Sequence, residues 1–383
     1  MACREFKRMS SRPLYILMTL ILPLAAFGII LTIFSKGVPR DLPVAVYDMD
    51  HSALSRKLTR MIDSTSAIEV VRRVTNLESG HRLIREGKVY ALIVLQRDLE
   101  KDVLSGKAPS VINYYNNEFL LPGSLIARDV RNTVGSLSAG LDLRFRQRLG
   151  QMTQAQPGII EPIRIESHEL FNPYLNYTYF LVSTLLPNML QIFVIVMSVY
   201  AIGVELKEGT TREWLECAEK STWKALLGKI LPYTLLFCIV GLFMNNILFR
   251  YLGVPLQGSL GLITLANFLM ILAYQAVALL LVSITANLRL SLSFAAFYSS
   301  TAFAFVGVTF PTVGMPLPAK AWAGILPLYY YLRIFVDQTV RGMPAMLTMI
   351  PLTVLMAFIL LLPIFPLYRM GRLMSEEKYW GRQ

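Results

Sequence analysis

The sequence predicts an α-helical membrane protein of six transmembrane helices, with an extracytoplasmic α/β domain inserted between the first and the second. Three observations carry this. The 383-residue chain is 54% hydrophobic and only 16% charged, with a mean hydropathy of +0.50, which places it away from ordinary soluble domains. Six windows are long and apolar enough to cross a hydrocarbon core of about 30 Å: 14–34, 179–204, 230–249, 260–286, 290–310 and 346–368. A polar, charged stretch, 36–176, separates the first window from the other five.

Residues 1–13 read as a short interfacial helix. Phe6 and Met9 would face lipid while Arg4, Lys7 and Arg8 snorkel; the alternative is a frayed basic tail. Pro13 ends it, and 14–35 is the first transmembrane helix. That span exceeds a signal-peptide core and no small-residue cleavage site follows it, so it is expected to be retained.

The inserted domain alternates strand and helix patterns. Val44 to Tyr47 reads as a strand closed by Asp48, Ser52 to Asp63 as a helix, Ile68 to Val74 as a strand and Leu77 to Glu86 as a helix. Val89 to Leu95 is continuously apolar, the mark of a buried strand. Asp98 to Leu104 and Val111 to Tyr115 add a short helix and a fourth strand. A long helical pattern follows, with Ile126, Val130, Val134, Leu141, Phe145, Leu149 and Met152 mostly on one face.

Residues 177–370 form a five-helix membrane region. Within it, 311–345 is too broken to cross cleanly: Pro311, Gly314, Pro316 and Pro318 interrupt it before an aromatic run containing Tyr329, Tyr330 and Tyr331. A re-entrant or interfacial hairpin on the outer side, with its tyrosines at headgroup level, fits; a soluble loop is the alternative. Residues 371–383 read as a cytoplasmic tail.

Charge sets the topology. The net charge is +12, while the insertion is nearly balanced. The basic excess lies at Arg4, Lys7, Arg8 and Arg12, at Lys207, Arg212, Lys220, Lys224 and Lys229, at Arg289, and at Arg369, Arg372, Lys378 and Arg382. This bias predicts a multi-pass protein with both termini in the cytoplasm and the insertion outside; a bacterial inner membrane is the expected location. Basic residues near spans suit anionic lipid in the bilayer, and no basic patch interleaves with aromatics, so no nucleic-acid partner is expected. The three cysteines, Cys3, Cys217 and Cys238, all lie outside the insertion, which therefore folds without disulfides.

Catalytic signatures are missing from the sequence. It contains no phosphate-binding Gly-rich loop, no H-E-x-x-H and no G-x-S-x-G, and His51, His81 and His168 make no metal-ligand spacing. No catalytic residue, cofactor or metal is expected on this chain; if the protein uses energy, another chain supplies it. The spans hold almost no ionisable residue, which argues against an ion-coupled carrier. The most informative segment follows the second span: Glu205-Leu206-Lys207-Glu208-Gly209-Thr210-Thr211-Arg212-Glu213-Trp214-Leu215-Glu216. Gly209 supplies a turn, and Thr210 or Thr211 can cap a short charged helix carrying an exposed Trp214. By pattern alone it serves equally as a docking helix with an aromatic anchor or as a solvated connector.

Here the chain resembles the permease subunits of type-2 ATP-binding-cassette exporters, in the drug and efflux branch with a large periplasmic domain. The Glu-x-x-x-Gly-Thr element of that family is matched by Glu205 to Thr210, and its Gly-Lys-x-x-Pro-Tyr element by Gly228-Lys229-Ile230-Leu231-Pro232-Tyr233. Leu252 to Leu260 resembles its external turn, Phe171-Asn172-Pro173 its entry to the second span, and Val44 to Asp48 its first outer strand. Val204 stands where the family usually has arginine, and Arg212 where it usually has an acid.

The resemblance implies an ABC exporter permease, a dimer with an identical or sibling copy, driven by cytoplasmic ATPase subunits that hold ATP and Mg. It implies ATPase coupling through 205–220, by Glu205, Glu208, Gly209, Thr210, Arg212 and Trp214. A periplasmic adaptor protein and an outer-membrane channel would meet the outer domain. The second and fifth spans would line the substrate path, offering Phe180, Asn188, Met189, Gln191, Phe294, Phe297 and Tyr298. A lining this apolar suits a hydrophobic or amphipathic cargo, a drug or a lipid; ordinary packing is the other reading. The rival function is a membrane receptor or scaffold whose outer domain binds an envelope ligand or protein.

Overall fold

The fold is that of a computed structural model, which describes residues 2–35, 37–105, 107, 109–116, 120–148, 176 and 178–381. His168, Phe171-Asn172-Pro173, Leu149 and Met152 lie outside them. The chain forms two compact units, one of Met1–Ser35 with Leu170–Gln383, the other of Lys36–Glu169.

The first unit begins with helix α1, Ala2–Ser11, and the span α2, Pro13–Ile33. Pro13 at the start of α2 lacks the N–H that α1 would need to continue, so the two helices meet at a corner.

The second unit is the α/β insertion. Strand β1, Leu42–Asp48, leads to helix α3, Ala53–Asp63. Asp48 closes this corner: its carboxylate accepts the backbone N–H groups of Asp50 and His51, both at 3.0 Å, and the Ser55 hydroxyl at 2.8 Å. Ser52 caps α3 by accepting from the Ser55 N–H. Strand β2, Ile68–Arg73, helix α4, Leu77–Arg85, strand β3, Ala91–Leu95, helix α5, Leu99–Leu104, strand β4, Val111–Tyr115, and the long helix α6, Leu120–Arg148, follow. The sheet order is β2-β1-β3-β4, parallel except for the antiparallel β3–β4 pair, with Val46 opposite Ile93. Every residue of β3 is buried, as its unbroken apolar run requires.

Helix α4 presses on β3 through Gly80. A Cβ there would stand 2.5 Å from the Leu92 side chain. Gly80→Val is therefore expected to lose about 1–3 kcal/mol to overpacking. A lowered unfolding midpoint of the full chain in detergent checks this, and an unchanged midpoint would contradict it.

The rest of the first unit comprises α7, Thr178–Glu208, α8, Thr211–Glu216, α9, Thr222–Tyr251, α10, Leu260–Thr285, α11, Leu288–Phe305, α12, Leu317–Gly324, α13, Pro327–Val336, and α14, Ala345–Ser375. Ser221, Ser259 and Asn287 cap α9, α10 and α11 with their side chains. Among the described residues five helices are long and apolar enough to cross a membrane: α2, α7, α9, α10 and α14. The expected sixth, 290–310, is not among them. It is helical only to Phe305, and Ser291, Ser293, Ser299, Ser300 and Thr301 dilute its apolar character. Its buried stripe, Leu288, Ser291, Ala295, Ser299 and Ala302, packs on α7, where Gly203 lets Leu288 approach. The apolar windows of α7 and α10 are 72% and 67% buried, against 22% for α2 and α14, so the former pair is the core of the unit and the latter its flanks.

Three expectations change with the packing. Phe6 is exposed, but Met9 is buried rather than turned outward. Tyr331 is fully buried in α13, so it cannot sit at headgroup level as expected, while Tyr329 and Tyr330 are half-buried. The segment from 371 is not a free tail: α14 continues to Ser375, Met374 is buried, and the Gly381 N–H donates to the Leu206 carbonyl at 3.0 Å.

Candidate coupling site

Helix α7 stops at Gly209, whose φ of +69° is left-handed backbone that suits glycine. The Thr210 N–H returns to the Glu205 carbonyl at 3.1 Å, and the chain turns into α8. Thr210 occupies the cap position, but its hydroxyl donates to the Glu205 carboxylate instead of capping the helix. Thr211 is buried and donates to the Glu205 carbonyl at 3.4 Å.

Trp214 does not project outward. Its side chain is fully buried, and its indole N–H donates to the Ala225 carbonyl at 3.1 Å. The Lys229 ammonium lies 5.3 Å from the centre of its ring. The expectation of an exposed aromatic anchor is thus corrected: Trp214 is the root that holds α8 to the body. An aromatic residue in a charged segment reads the same whether it faces a partner or its own fold.

Lys229 belongs to a buried ionic cluster. Its ammonium donates to Glu205 at 2.8 Å and to Glu5, and all three residues are buried. Tyr233, one turn beyond Lys229 on α9, donates to the other Glu5 oxygen at 3.0 Å. From α1, Arg8 donates to Glu205 and, at 2.6 Å, to Glu208; Arg12 also reaches Glu208, at 2.7 Å. Arg4 lies 3.5 Å from Glu205 and 3.9 Å from Glu213. Burial works against the charge of Arg8, but the carboxylates of Glu205, Glu5 and Glu208 outweigh it and hold its pKa above the ordinary arginine value.

The innermost set, Glu5, Glu205, Lys229 and Arg8, carries two charges of each sign. Its neutrality matters because a buried ion without a partner costs several kcal/mol. The four members come from α1, α7 and α9, and Thr210 and Trp214 attach α8 to the same set. Charge-assisted contacts as well as loop backbone thus join α8 to three helices.

Of the six candidate coupling residues, Glu205, Glu208, Gly209, Thr210 and Trp214 form or adjoin this cluster. Arg212 stays outside it, paired at 3.3 Å with Glu216 on the exposed side of α8. Sequence reasoning missed Glu5, Arg8 as an ion-pair donor, Lys229 and Tyr233. The signals were present: Glu5 is the lone acid in a basic helix, and Lys229 and Tyr233 share one face at the mouth of an apolar window. Two motifs set apart in the sequence, one around Glu205 and one around Lys229, are two halves of this contact.

The candidate path residues do not converge. Asn188 and Gln191 are buried between α7 and α11, where Gln191 donates to the Ser299 carbonyl at 3.1 Å and to Asn188 at 3.3 Å. Met189 is half-buried beside them, and Phe294 and Phe297 are exposed on the opposite side of α11. Tyr298 turns inward, edge-on to Tyr274 and Trp322, and donates to the Ile325 carbonyl. Phe180 alone lines a sizeable cavity, of about 620 Å³, formed with α13 and the segments after α9 and α11.

A family model described as ABC-2 family transporter protein matches residues 13–368. The match takes in Glu205, Lys229 and Tyr233 and leaves Glu5, Arg8 and the whole of α1 outside. No curated protein matches the chain.

Proposed function

The chain belongs to the ABC-2 family of transporter proteins, the membrane components that work with a separate ATP-binding-cassette ATPase, and on that premise we propose that it is the permease subunit of an exporter in which α8 receives the ATPase. Five long apolar helices make it a multi-pass membrane protein. We further propose that α11 crosses as the sixth span, which puts both termini on the basic cytoplasmic side and the α/β unit on the other. The cargo is hydrophobic or amphipathic, the working unit pairs two permeases, and the outer unit is available to an adaptor protein and a channel.

One observation carries the coupling role. The ionic cluster and Trp214 fasten α8 to α1, α7 and α9, so a force on α8 moves spans. The exposed edge of α8 carries the charged side chains of Arg212, Glu213 and Glu216. The side chains of Arg212 and Glu216 are 72% and 59% exposed and bridge only each other among the described residues. Replacing both by alanine should leave folding intact, because an exposed pair of this kind contributes about 0–1 kcal/mol. With the cognate ATPase in proteoliposomes, ATP-driven transport is expected to fall about tenfold, the size of a modest interface hot spot, at an unchanged unfolding midpoint. Full transport by this variant would remove α8 from the ATPase contact.

A further inference from the structure

We propose that the cavity beside Phe180 binds an amphiphile with a single anionic head, and that Arg333 is the residue that recognises the head. The proposal deepens the export reading by naming its cargo class, and it rests on that reading only for calling the ligand cargo.

The cavity has two kinds of wall. Its floor is buried and effectively apolar: Val306, Leu332 and Phe335 supply hydrocarbon. The hydroxyls on that floor are turned to their own helices, Thr184 donating to the Leu181 carbonyl at 2.9 Å and Thr339 to that of Phe335 at 2.7 Å. The rim carries two guanidinium groups, from Arg333 and Arg341, and among the described residues no acid lines the cavity. Arg341 is already engaged by Asp337 at 2.9 Å. Arg333 makes no hydrogen bond or ion pair with any described residue and is exposed at the rim.

A ligand gains most here if it places hydrocarbon on the floor and one anionic group at the mouth. The volume, about 620 Å³, lies within the range of small-molecule sites. A guanidinium is suited to the head because its planar fork binds a carboxylate, sulfate or phosphate through two parallel hydrogen bonds. Phe180 and Val313, both exposed at the rim, offer apolar contact to a chain on its way in. A neutral amphiphile would fill the floor and leave Arg333 unused; an anion without hydrocarbon would meet a single exposed charge.

The test uses the full-length chain in phosphatidylcholine nanodiscs, titrated with dansyl-labelled undecanoic acid and with its methyl ester, against empty discs. The acid is expected to bind about tenfold more tightly than the ester, the weight of one charge-assisted contact. Arg333→Gln should abolish that preference and leave ester binding unchanged. Thr184→Trp, which fills the floor, should weaken both. Equal binding of acid and ester by the unmodified chain, or an undiminished preference in Arg333→Gln, overturns the proposal. Replacing the disc lipid by phosphatidylglycerol identifies the source: competition with the acid points to a bilayer lipid, no competition to a free amphiphile, and both keep the anionic head. Adding ATPase and ATP separates the two claims. Acid that binds but is never released by ATP turnover sinks the export reading and leaves the site; ATP-driven transport without acid binding does the reverse.

Discussion

Lys229→Met is expected to destabilise the membrane unit by about 3–5 kcal/mol, the usual consequence of removing one member of a buried ionic set. The methionine fills most of the space of the lysine stem. What changes is charge: Glu5 and Glu205 stay buried with one cation fewer between them, and Glu5 keeps only the Tyr233 hydroxyl among the contacts described above. The prediction has an internal control. In the double variant Glu5→Gln, Lys229→Met the remaining Glu205 and Arg8 again balance. Removing both charges should therefore cost less than removing Lys229 alone, with a coupling of about 0.5–3 kcal/mol between the sites. Unfolding midpoints of the purified full chain decide this. Additive losses, or a single variant as stable as the parent, would show that the cluster is not closed in the folded protein.

The second large effect concerns Trp214. Trp214→Ala is expected to lose about 3–5 kcal/mol, since a fully buried indole leaves a cavity, and its hydrogen bond to Ala225 goes with it. Trp214→Phe should recover much of the packing but not the hydrogen bond. If Trp214 were a docking anchor on the surface, the alanine variant would weaken ATPase binding and leave the permease midpoint unchanged. The buried position predicts the opposite: a lowered midpoint of the permease alone, before any partner is added. Measured beside the Arg212 and Glu216 variant, the two changes separate what holds α8 in place from what its outer edge touches.

Much of the architecture was legible because it depends on local pattern. Hydropathy summed over about twenty residues finds a span whatever its neighbours are, and α2, α7, α9, α10 and α14 fall where the apolar windows predicted helices. The α/β unit was similarly readable. The strand patterns at 44–47, 68–74, 89–95 and 111–115 correspond to β1 to β4, and Gly209 ends α7 with the left-handed turn its position suggested. Where hydropathy was diluted by serine and threonine, at α11, the same criterion stopped separating a span from a packed helix.

The site was less legible, for a different physical reason. Pattern points Trp214, Tyr331 and Met9 outward, yet each is buried; an amphipathic Trp or Tyr suits a rim or a core equally well until its neighbours are known, and an apolar Met suits lipid or protein alike. Lys229 read as a charge at the end of a span, because its partners Glu5 and Glu205 lie on other helices.

What the sequence by itself determined is what residues close together in the chain govern: where the five long apolar helices lie, where the chain turns between elements, and the patterns that build the sheet unit. Tertiary structure alone decided that Glu5 meets Lys229 and that Arg8 meets Glu205. These groups are separated by 224 and 197 positions, and no local preference couples residues so far apart. Their pairing follows from helix packing, which brings the charges together and excludes water, so that only the matched set can remain buried.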